Sequence, residues 1–324
     1  MKHFSVVIPV YKSSKSLETI AEKFAILESK ENFQFEIIFV NDSPWFIDTQ
    51  RTLEKISEKF NNVSVVTLKR NQGQQIALLV GISKATGEYV LTMDDDLQHP
   101  VEEIPKLIRA MDENKETEAI FAVPSFKNKK HSLWRNVGSY TVNKIDRVFL
   151  NKPKGLVKSS FRIMTKELAR TIVLNYNAMP ALSSLIISST NNIKNIQVVH
   201  NSREFGRSHY TVAKLFNLTL NNMINYSSLP LKALGLMGAV IFVASLLFIF
   251  VIIARKFFID INFPGYASTV SLISFFGGLN LFALGLIGEY LIRIIREQQK
   301  PKLEDMVRNN QNKQDSNQIS KIKI

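Results

Sequence analysis

The chain has 324 residues, 41 Lys+Arg against 28 Asp+Glu for a formal net charge of +13, and no cysteine. The missing thiol excludes disulfides, cysteine-ligated zinc, iron–sulfur clusters and thiol catalysis, and five scattered histidines with no H-x-x-x-H pair leave little for a zinc site. A mean hydropathy of +0.01 alongside 21% charged residues points to apolar residues gathered in places, and residues 233–254 and 261–288 are indeed free of charge.

In chain order, the run FSVVIPVY at residues 4–11 is β-branched and closed by a proline, the pattern of a buried parallel strand. The opening Met-Lys-His-Phe runs straight into it, so export by a signal peptide is not expected. Ser14-Lys-Ser16 precedes an apolar stripe at Leu17, Ile20, Ala21, Phe24 and Leu27, which predicts a helix with a polar N-cap. A second strand is predicted at 35–42, a helix at 45–60, a third strand at 63–68 and a helix at 72–86. A fourth strand at 89–93 ends in three aspartates, followed by a helix at 101–113 and a strand at 119–123. Strands alternating with helices of about 10–15 residues imply βαβ units and a mostly parallel sheet, an α/β class.

Beyond the sheet the pattern changes. Residues 210–226 mix apolar side chains with asparagine and a single lysine just ahead of Pro230, the pattern of either a helix in the membrane interface or an amphipathic core helix. The position before the first uncharged window favours the interface. Each window is long enough to cross a hydrocarbon core of about 30 Å at about 1.5 Å per helical residue. The expected organisation is a domain at 1–208, a juxtamembrane helix at 209–232, spans at 233–254 and 263–290 joined by a link at 255–262, and a basic tail at 291–324 with a disordered end. Residues 289–324 hold eight Lys/Arg and the link only Arg255 and Lys256. The positive-inside rule then places domain and tail in the cytoplasm, with the chain in the cytoplasmic membrane.

Residues 127–166 hold eleven basic side chains and one acid, a local surplus of +10. The stretch is either a solvated face or a surface for phosphates and acidic lipid headgroups. Nucleic acid is a poor partner for a chain with adjoining spans.

The strongest chemical signal is Asp94-Asp95-Asp96 after an apolar strand. Ligands of α/β sheets sit beyond the carboxyl ends of the strands, and clustered acids repel unless a cation lies between them. A Mg²⁺ or Mn²⁺ ion would relieve that repulsion and bridge to phosphate oxygens. In extended geometry Asp94 and Asp96 share a face, with Gln98 continuing the row. The alternative is a solvated turn capping the next helix. Asn41-Asp42-Ser43 ends the second strand, where a carboxylate either meets a nucleoside or belongs to a polar turn. Arg70-Asn71-Gln72-Gly73-Gln74 opens a helix whose N-terminus suits anions, a weak signal alone.

Taken in order, SVVIPVY at 5–11, Asn41-Asp42-Ser43, Arg70-Asn71-x-Gly73, MDDDLQHP at 93–100, SFRIM at 160–164, REFGRSHY at 203–210, LPLK at 229–232 and IGEYLxR at 287–293 resemble the polyprenyl-phosphate branch of glycosyltransferase family 2. That branch is similar to the undecaprenyl-phosphate glucosyl- and aminoarabinose-type transferases and the dolichyl-phosphate mannose synthases. The resemblance spans roughly residues 4–300. It implies a GT-A, Rossmann-like domain, a nucleotide-diphosphate sugar donor (uridine being the bacterial default), a divalent metal and a polyprenyl phosphate acceptor for cell-envelope glycan. It places Asp94, Asp96 and Gln98 at the metal and donor diphosphate, with Asp95 beside them. Pro9, Tyr11 and Asp42 would line the nucleoside pocket. Arg135 and Ser139 match a phosphate-binding pair, and Arg203 would meet phosphate near the membrane. Two departures stand out. Asn41-Asp42-Ser43-Pro44 replaces a frequent Asp-Asp-Gly-Ser, and Ser160 replaces a carboxylate often found before Phe-Arg-Leu-Met.

A phosphate monoester, with a second pKa near 6, is already largely a dianion and does not need that base. Catalysis would then be electrostatic, with Asp96 at the metal and Arg135, Arg162 and Arg203 drawing in the lipid phosphate, and with inversion at the anomeric carbon. A glycolipid synthase using a diacylglycerol hydroxyl would need His99, Asp95 or Glu204 as base. A processive polysaccharide synthase is disfavoured by the lack of Q-x-x-R-W. A non-catalytic sugar-nucleotide binder remains the alternative of another class. Gly235, Gly238 and Gly277-Gly278 would permit close helix contacts in a homo-oligomer.

Overall fold

The computed structural model describes residues 2–125, 152–201 and 265–308, with scattered positions between 234 and 251. Two compact units divide the chain, one formed by Met1–Thr211 with Pro301–Ile324 and the other by Val212–Lys300.

The first unit is built on a seven-stranded sheet with the order β3-β2-β1-β4-β6-β5-β7. Its strands are β1 (Lys2–Val10), β2 (Phe33–Asn41), β3 (Val63–Thr67), β4 (Tyr89–Thr92), β5 (Ala119–Pro124), β6 (Arg162–Thr165) and β7 (Ile193–Val198). The first four are parallel neighbours, and β5 and β7 pair in parallel at the far edge. Between the two parallel blocks β6 runs antiparallel to both β4 and β5. The sheet is therefore mostly parallel as expected, with β6 as its single reversed strand. Neither β6 nor β7 was predicted: β6 is four residues long and opens on an arginine, and β7 interleaves Lys194, Asn195 and Gln197 with its apolar residues.

The helices are α1 (Leu17–Lys30), α2 (Ile47–Lys59), α3 (Gln74–Lys84), α4 (Ile104–Glu113, led in by a 3₁₀ turn at Val101–Glu103), α5 (Lys166–Leu174) and α6 (Leu182–Ser189). The stripe on α1 is buried as the spacing predicts. Ser16 stands at its N-cap but gives no capping bond, its hydroxyl lying 3.3 Å from that of Ser13 instead. Against the sheet, Phe4 contacts Phe33, Phe35 and Tyr89 at ring-centroid distances of 5.4–5.7 Å. The first four strands share one register, with Val10 opposite Asn41 and Val7 opposite Thr92. Their carboxyl ends therefore open at one edge, and the chain reverses its progression across the sheet between β1 and β4.

In the second unit, α7 (Tyr266–Gln298) is a helix of 33 residues. Its Phe275–Gln298 stretch is long and apolar enough to cross a membrane, the one such stretch among the described residues. It runs past the expected end at 290. The described positions between 234 and 251 are helical, while the expected link and most of the juxtamembrane segment lie outside the described residues.

The tail holds a segment that composition did not anticipate. After Pro301 the chain rejoins the first unit at β3. Lys69 N–H donates to the Met306 carbonyl and Arg308 N–H to the Thr67 carbonyl, both at 2.8 Å, around an antiparallel bridge of Leu68 and Val307. Leu303 and Met306 are buried, and the Tyr176 hydroxyl donates to the Pro301 carbonyl at 2.8 Å.

Gly81 lies inside α3, where alanine is ordinarily better by about 1 kcal/mol. A Cβ there would fall 2.3 Å from Val7 Cγ1 and 2.9 Å from Val40 Cγ2, on stiff β-branched side chains of β1 and β2. Gly81→Ala is thus expected to lower stability by about 1–3 kcal/mol, the cost of overpacking, rather than raise it. The midpoint of thermal unfolding checks the sign.

Candidate active site

At the β1/β4 reversal lies a cleft of about 940 Å³, within the range of small-ligand pockets. Its lining comes from the end of β1 and the loop after it (Pro9 to Ser16), from Asp42 after β2, from Asn71, Gly73 and Gln74 at the start of α3, and from Asp94, Asp95 and Asp96 after β4. Pro9, Tyr11, Asp42 and the three aspartates thus line one cleft. Arg135, Ser139, Arg203 and Glu204 lie outside the described residues.

Asp42 is buried, and its carboxylate accepts from Gln72 N–H at 2.7 Å and Gly73 N–H at 2.9 Å. Burial pushes its pKa above the usual aspartate value, and the two amide bonds offset only part of that. Its neighbours Asn41 and Ser43 serve the turn itself. Asn41 Oδ1 accepts from Ser43 N–H and hydroxyl, and the Ser43 oxygen accepts from Lys12 N–H at 3.0 Å. Lys12 has φ of 53°, a left-handed conformation uncommon for a side chain of that size. Next to it Tyr11 is half exposed, edge-on to Trp45 at 6.5 Å. The sequence marks Ser14-Lys-Ser16 only as a helix N-cap, and no charge pattern there signals that the loop also lines the cleft.

Asp94 is held on both oxygens. Gln74 Nε2 donates to Oδ1 at 2.7 Å and the Ser160 hydroxyl donates to Oδ2 at 2.6 Å, with His99 Nε2 3.6 Å from Oδ2. Burial opposes its ionisation, but nearby His99, the Ser160 hydrogen bond and the Arg162 charge outweigh it and hold the carboxyl below the usual range. Asp95 is less fully supported. Its Oδ2 is buried without a hydrogen-bond partner, and burial together with the Asp94 and Asp96 charges pushes its pKa up to about 7, against a pull from Ser13. Asp96 Oδ1 accepts from Gln98 N–H at 3.2 Å. The backbone turns at Leu97, where φ is 60°, so the expected row ends at Asp96. Gln98 does not line the cleft, and its carbonyl accepts from Asn201 N–H at 3.0 Å.

Arg162 is on β6 opposite Thr92 and is only 2% exposed. Its Nε donates to Thr92 Oγ1 at 2.9 Å and its Nη1 to Ser183 Oγ at 2.8 Å, with the guanidinium 5.9 Å from the centroid of Phe121. Burial lowers its pKa to about 10, with Asp94 pulling the other way, so it stays a cation at neutral pH.

Among the described residues no three His, Asp or Glu side chains form a ready metal cage. Two hard carboxylates at the cleft mouth nevertheless suit Mg²⁺ or Mn²⁺, which take few protein ligands and complete their shells with water and phosphate oxygens. The unpaired Asp95 Oδ2 fits a nearby positive charge as well.

A mixed, Rossmann-like sheet with acids at this edge defines the GT-A class of sugar transferases. The chain matches glycosyl transferase family 2 over residues 5–173 and belongs to that family. It is 28% identical over 296 residues to the undecaprenyl-phosphate 4-deoxy-4-formamido-L-arabinose transferase of Pectobacterium atrosepticum, covering 91% of this chain and 89% of that protein. The enzyme of the same name from Proteus mirabilis is 30% identical over 299 residues, covering 90% and 89%. Glucosyl-3-phosphoglycerate synthase of Mycobacterium tuberculosis, solved with Mn²⁺, uridine diphosphate and glucosyl-3-phosphoglycerate, shares the fold with a TM-score of 0.52 at 14% identity, over 70% of this chain and 80% of that one.

Gly73 has φ of 88° and donates its N–H to Asp42, and a Cβ there would meet nothing within 4 Å. Gly73→Ala is expected to cost about 1–3 kcal/mol through backbone strain alone. Nucleotide affinity measured by calorimetry should fall with it. Unchanged affinity would show that this loop does not position Asp42 for binding.

Proposed function

We propose that this glycosyltransferase moves a sugar from a nucleoside-diphosphate sugar, with uridine as the base, to a polyprenyl phosphate such as undecaprenyl phosphate. The observation that carries the reading is the acid-lined cleft at the β1/β4 reversal, with Asp94 ionised beside a buried arginine. The relatives' shared name and their coverage of about nine-tenths of this chain supply the acceptor class.

In this reading Pro9, Tyr11 and Asp42 contact the nucleoside, and Asp94 and Asp96 present oxygens to a divalent ion at the diphosphate. When bound, that ion supplies positive charge to the departing diphosphate. The side chains do the rest. Arg135 and Ser139 bind phosphate and Arg203 meets the lipid phosphate. Arg162, being buried, steadies the negative charge of Asp94 from behind. A phosphate oxygen of the acceptor attacks the anomeric carbon as its bond to the β-phosphate oxygen breaks, and the configuration inverts. No proton leaves the nucleophile, because a phosphate monoester is largely dianionic at neutral pH. This agrees with Ser160, a hydroxyl committed to Asp94, where relatives of this type often place a carboxylate.

The anchor is α7 together with a first span at 233–254, preceded by an interfacial helix at 209–232. The cleft then works at the cytoplasmic face of the membrane, toward cell-envelope glycan. A second acceptor class, a diacylglycerol hydroxyl, is favoured by one observation. The Asp95 carboxylate, whose buried Oδ2 has no hydrogen-bond partner beside the cleft, would serve as its general base.

Incubating the purified protein with a panel of nucleotide sugars, and with undecaprenyl phosphate or diacylglycerol, separates the two by mass spectrometry of the lipid product. The expected product is a glycosyl phosphoryl lipid. A product on diacylglycerol alone, or none, overturns the reading. Asp96→Asn is expected to slow transfer by about a thousandfold, as loss of several kcal/mol of charge stabilisation would. Its unfolding midpoint should stay at the wild-type value.

A further inference from the structure

Antiparallel pairing of β4 with β6 sets Thr92 opposite Arg162. Continued two residues beyond the strands, that register brings Ser160 against Asp94. The Ser160 hydroxyl spends its proton on Asp94 Oδ2 at 2.6 Å, a short charge-assisted bond. The same oxygen lies 3.1 Å from His99 Nε2. Since the hydroxyl hydrogen is already committed, this contact requires a proton on Nε2, donated to Ser160. His99 is 7% exposed and stacks on Phe161 at 5.0 Å and 27°, so its ring plane is set by packing. Ser160 is fixed as well, its carbonyl accepting from the Thr92 hydroxyl at 2.9 Å. Across the carboxylate, Gln74 Nε2 takes Oδ1 at 2.7 Å.

We propose that His99 is a positioning residue, acting through Ser160 to lock the Asp94 carboxylate in the plane that presents its remaining lone pairs to a divalent ion in the cleft. The role rests on the function proposed above only in taking that cleft as the metal site. Neither side chain needs to touch sugar or acceptor. Groups that orient metal-binding carboxylates or imidazoles typically change metal affinity by about 10–100-fold when removed.

The decisive measurement is Mn²⁺ affinity of the full-length protein in detergent micelles, read from the electron paramagnetic resonance signal of free Mn²⁺. His99→Phe keeps the stacked ring and deletes the donor, and Ser160→Ala deletes the intermediary. Each should weaken Mn²⁺ binding by about tenfold. The double variant should be no weaker than either single, because both break one chain. His99→Gln, whose Nε2 can reach the same place, should recover wild-type affinity to within about twofold. Losses that add in the double variant would show that His99 acts by packing alone and overturn the proposal. So would unchanged affinities, or a wild-type protein that binds no Mn²⁺. Transfer to undecaprenyl phosphate is scored separately. If transfer fails while the Mn²⁺ pattern holds, the acceptor assignment falls and the relay stands. If transfer proceeds with flat Mn²⁺ affinities, the relay falls.

Discussion

An ionised carboxylate withdrawn from water is costly unless donors or cations replace the lost hydration. Asp94 is where this chain meets that cost, and much of the first unit is arranged around it. Nothing local in the sequence brings a residue from the second half of the domain to this point. The antiparallel insertion of β6 beside β4 does, placing Ser160 against Oδ2 and Arg162 behind it. The start of α3 supplies Gln74 to the other oxygen. Asp95, one residue on, shows what happens with weaker help. With a buried oxygen left unpaired, its pKa climbs to about 7. Neighbouring acids in one tripeptide are thus driven apart by their surroundings, one kept charged and one brought near neutrality.

The loop at 71–74 links the two ends of the cleft. Its backbone amides at Gln72 and Gly73 serve Asp42, and its Gln74 side chain serves Asp94. A shift of this loop would therefore disturb both the place expected for a nucleoside and the place expected for a diphosphate. Gly73 permits the arrangement, since its φ of 88° aims its N–H at Asp42 without a Cβ to resist. Gln75 extends the link, accepting from Leu182 N–H at the start of α6, the helix whose Ser183 holds Arg162.

The parallel half of the sheet was legible because its strands are rich in β-branched and aromatic residues, and because α1 repeats its apolar residues at helical spacing. The acid triplet was legible because three like charges after a strand have few structural uses. Partnerships were not. That Ser160 and His99 converge on Asp94 depends on the register of β6, a four-residue strand with no period to read. The expected row through Gln98 assumed extended backbone, and the left-handed turn at Leu97 ends it, although leucine gives no warning of positive φ. Arg162 was expected to face a lipid phosphate as one of a basic cluster, yet its side chain is enclosed by Thr92, Ser183 and Phe121. Charge counted along a sequence cannot separate a solvated cation from one buried as a counter-charge.

The segment after α7 shows the same limit from the other side. Residues 301–308 include Lys302, Glu304, Asp305 and Arg308 and read as solvated tail. An edge strand, however, presents unpaired amides and carbonyls that favour any extended partner. At the exposed side of β3, Thr67 and Lys69 are answered by Arg308 and Met306, and the burial of Leu303 and Met306 adds an apolar contribution that charge counting hides. The consequence reaches the cleft through chain continuity alone. Lys69 is bonded in this pairing and Gln72 and Gly73 are bonded to Asp42, so only Arg70 and Asn71 lie between two anchored points. The loop that serves both carboxylates has a short free stretch because it is held at each end. Its leading end is held by residues that lie beyond the apolar helix in sequence.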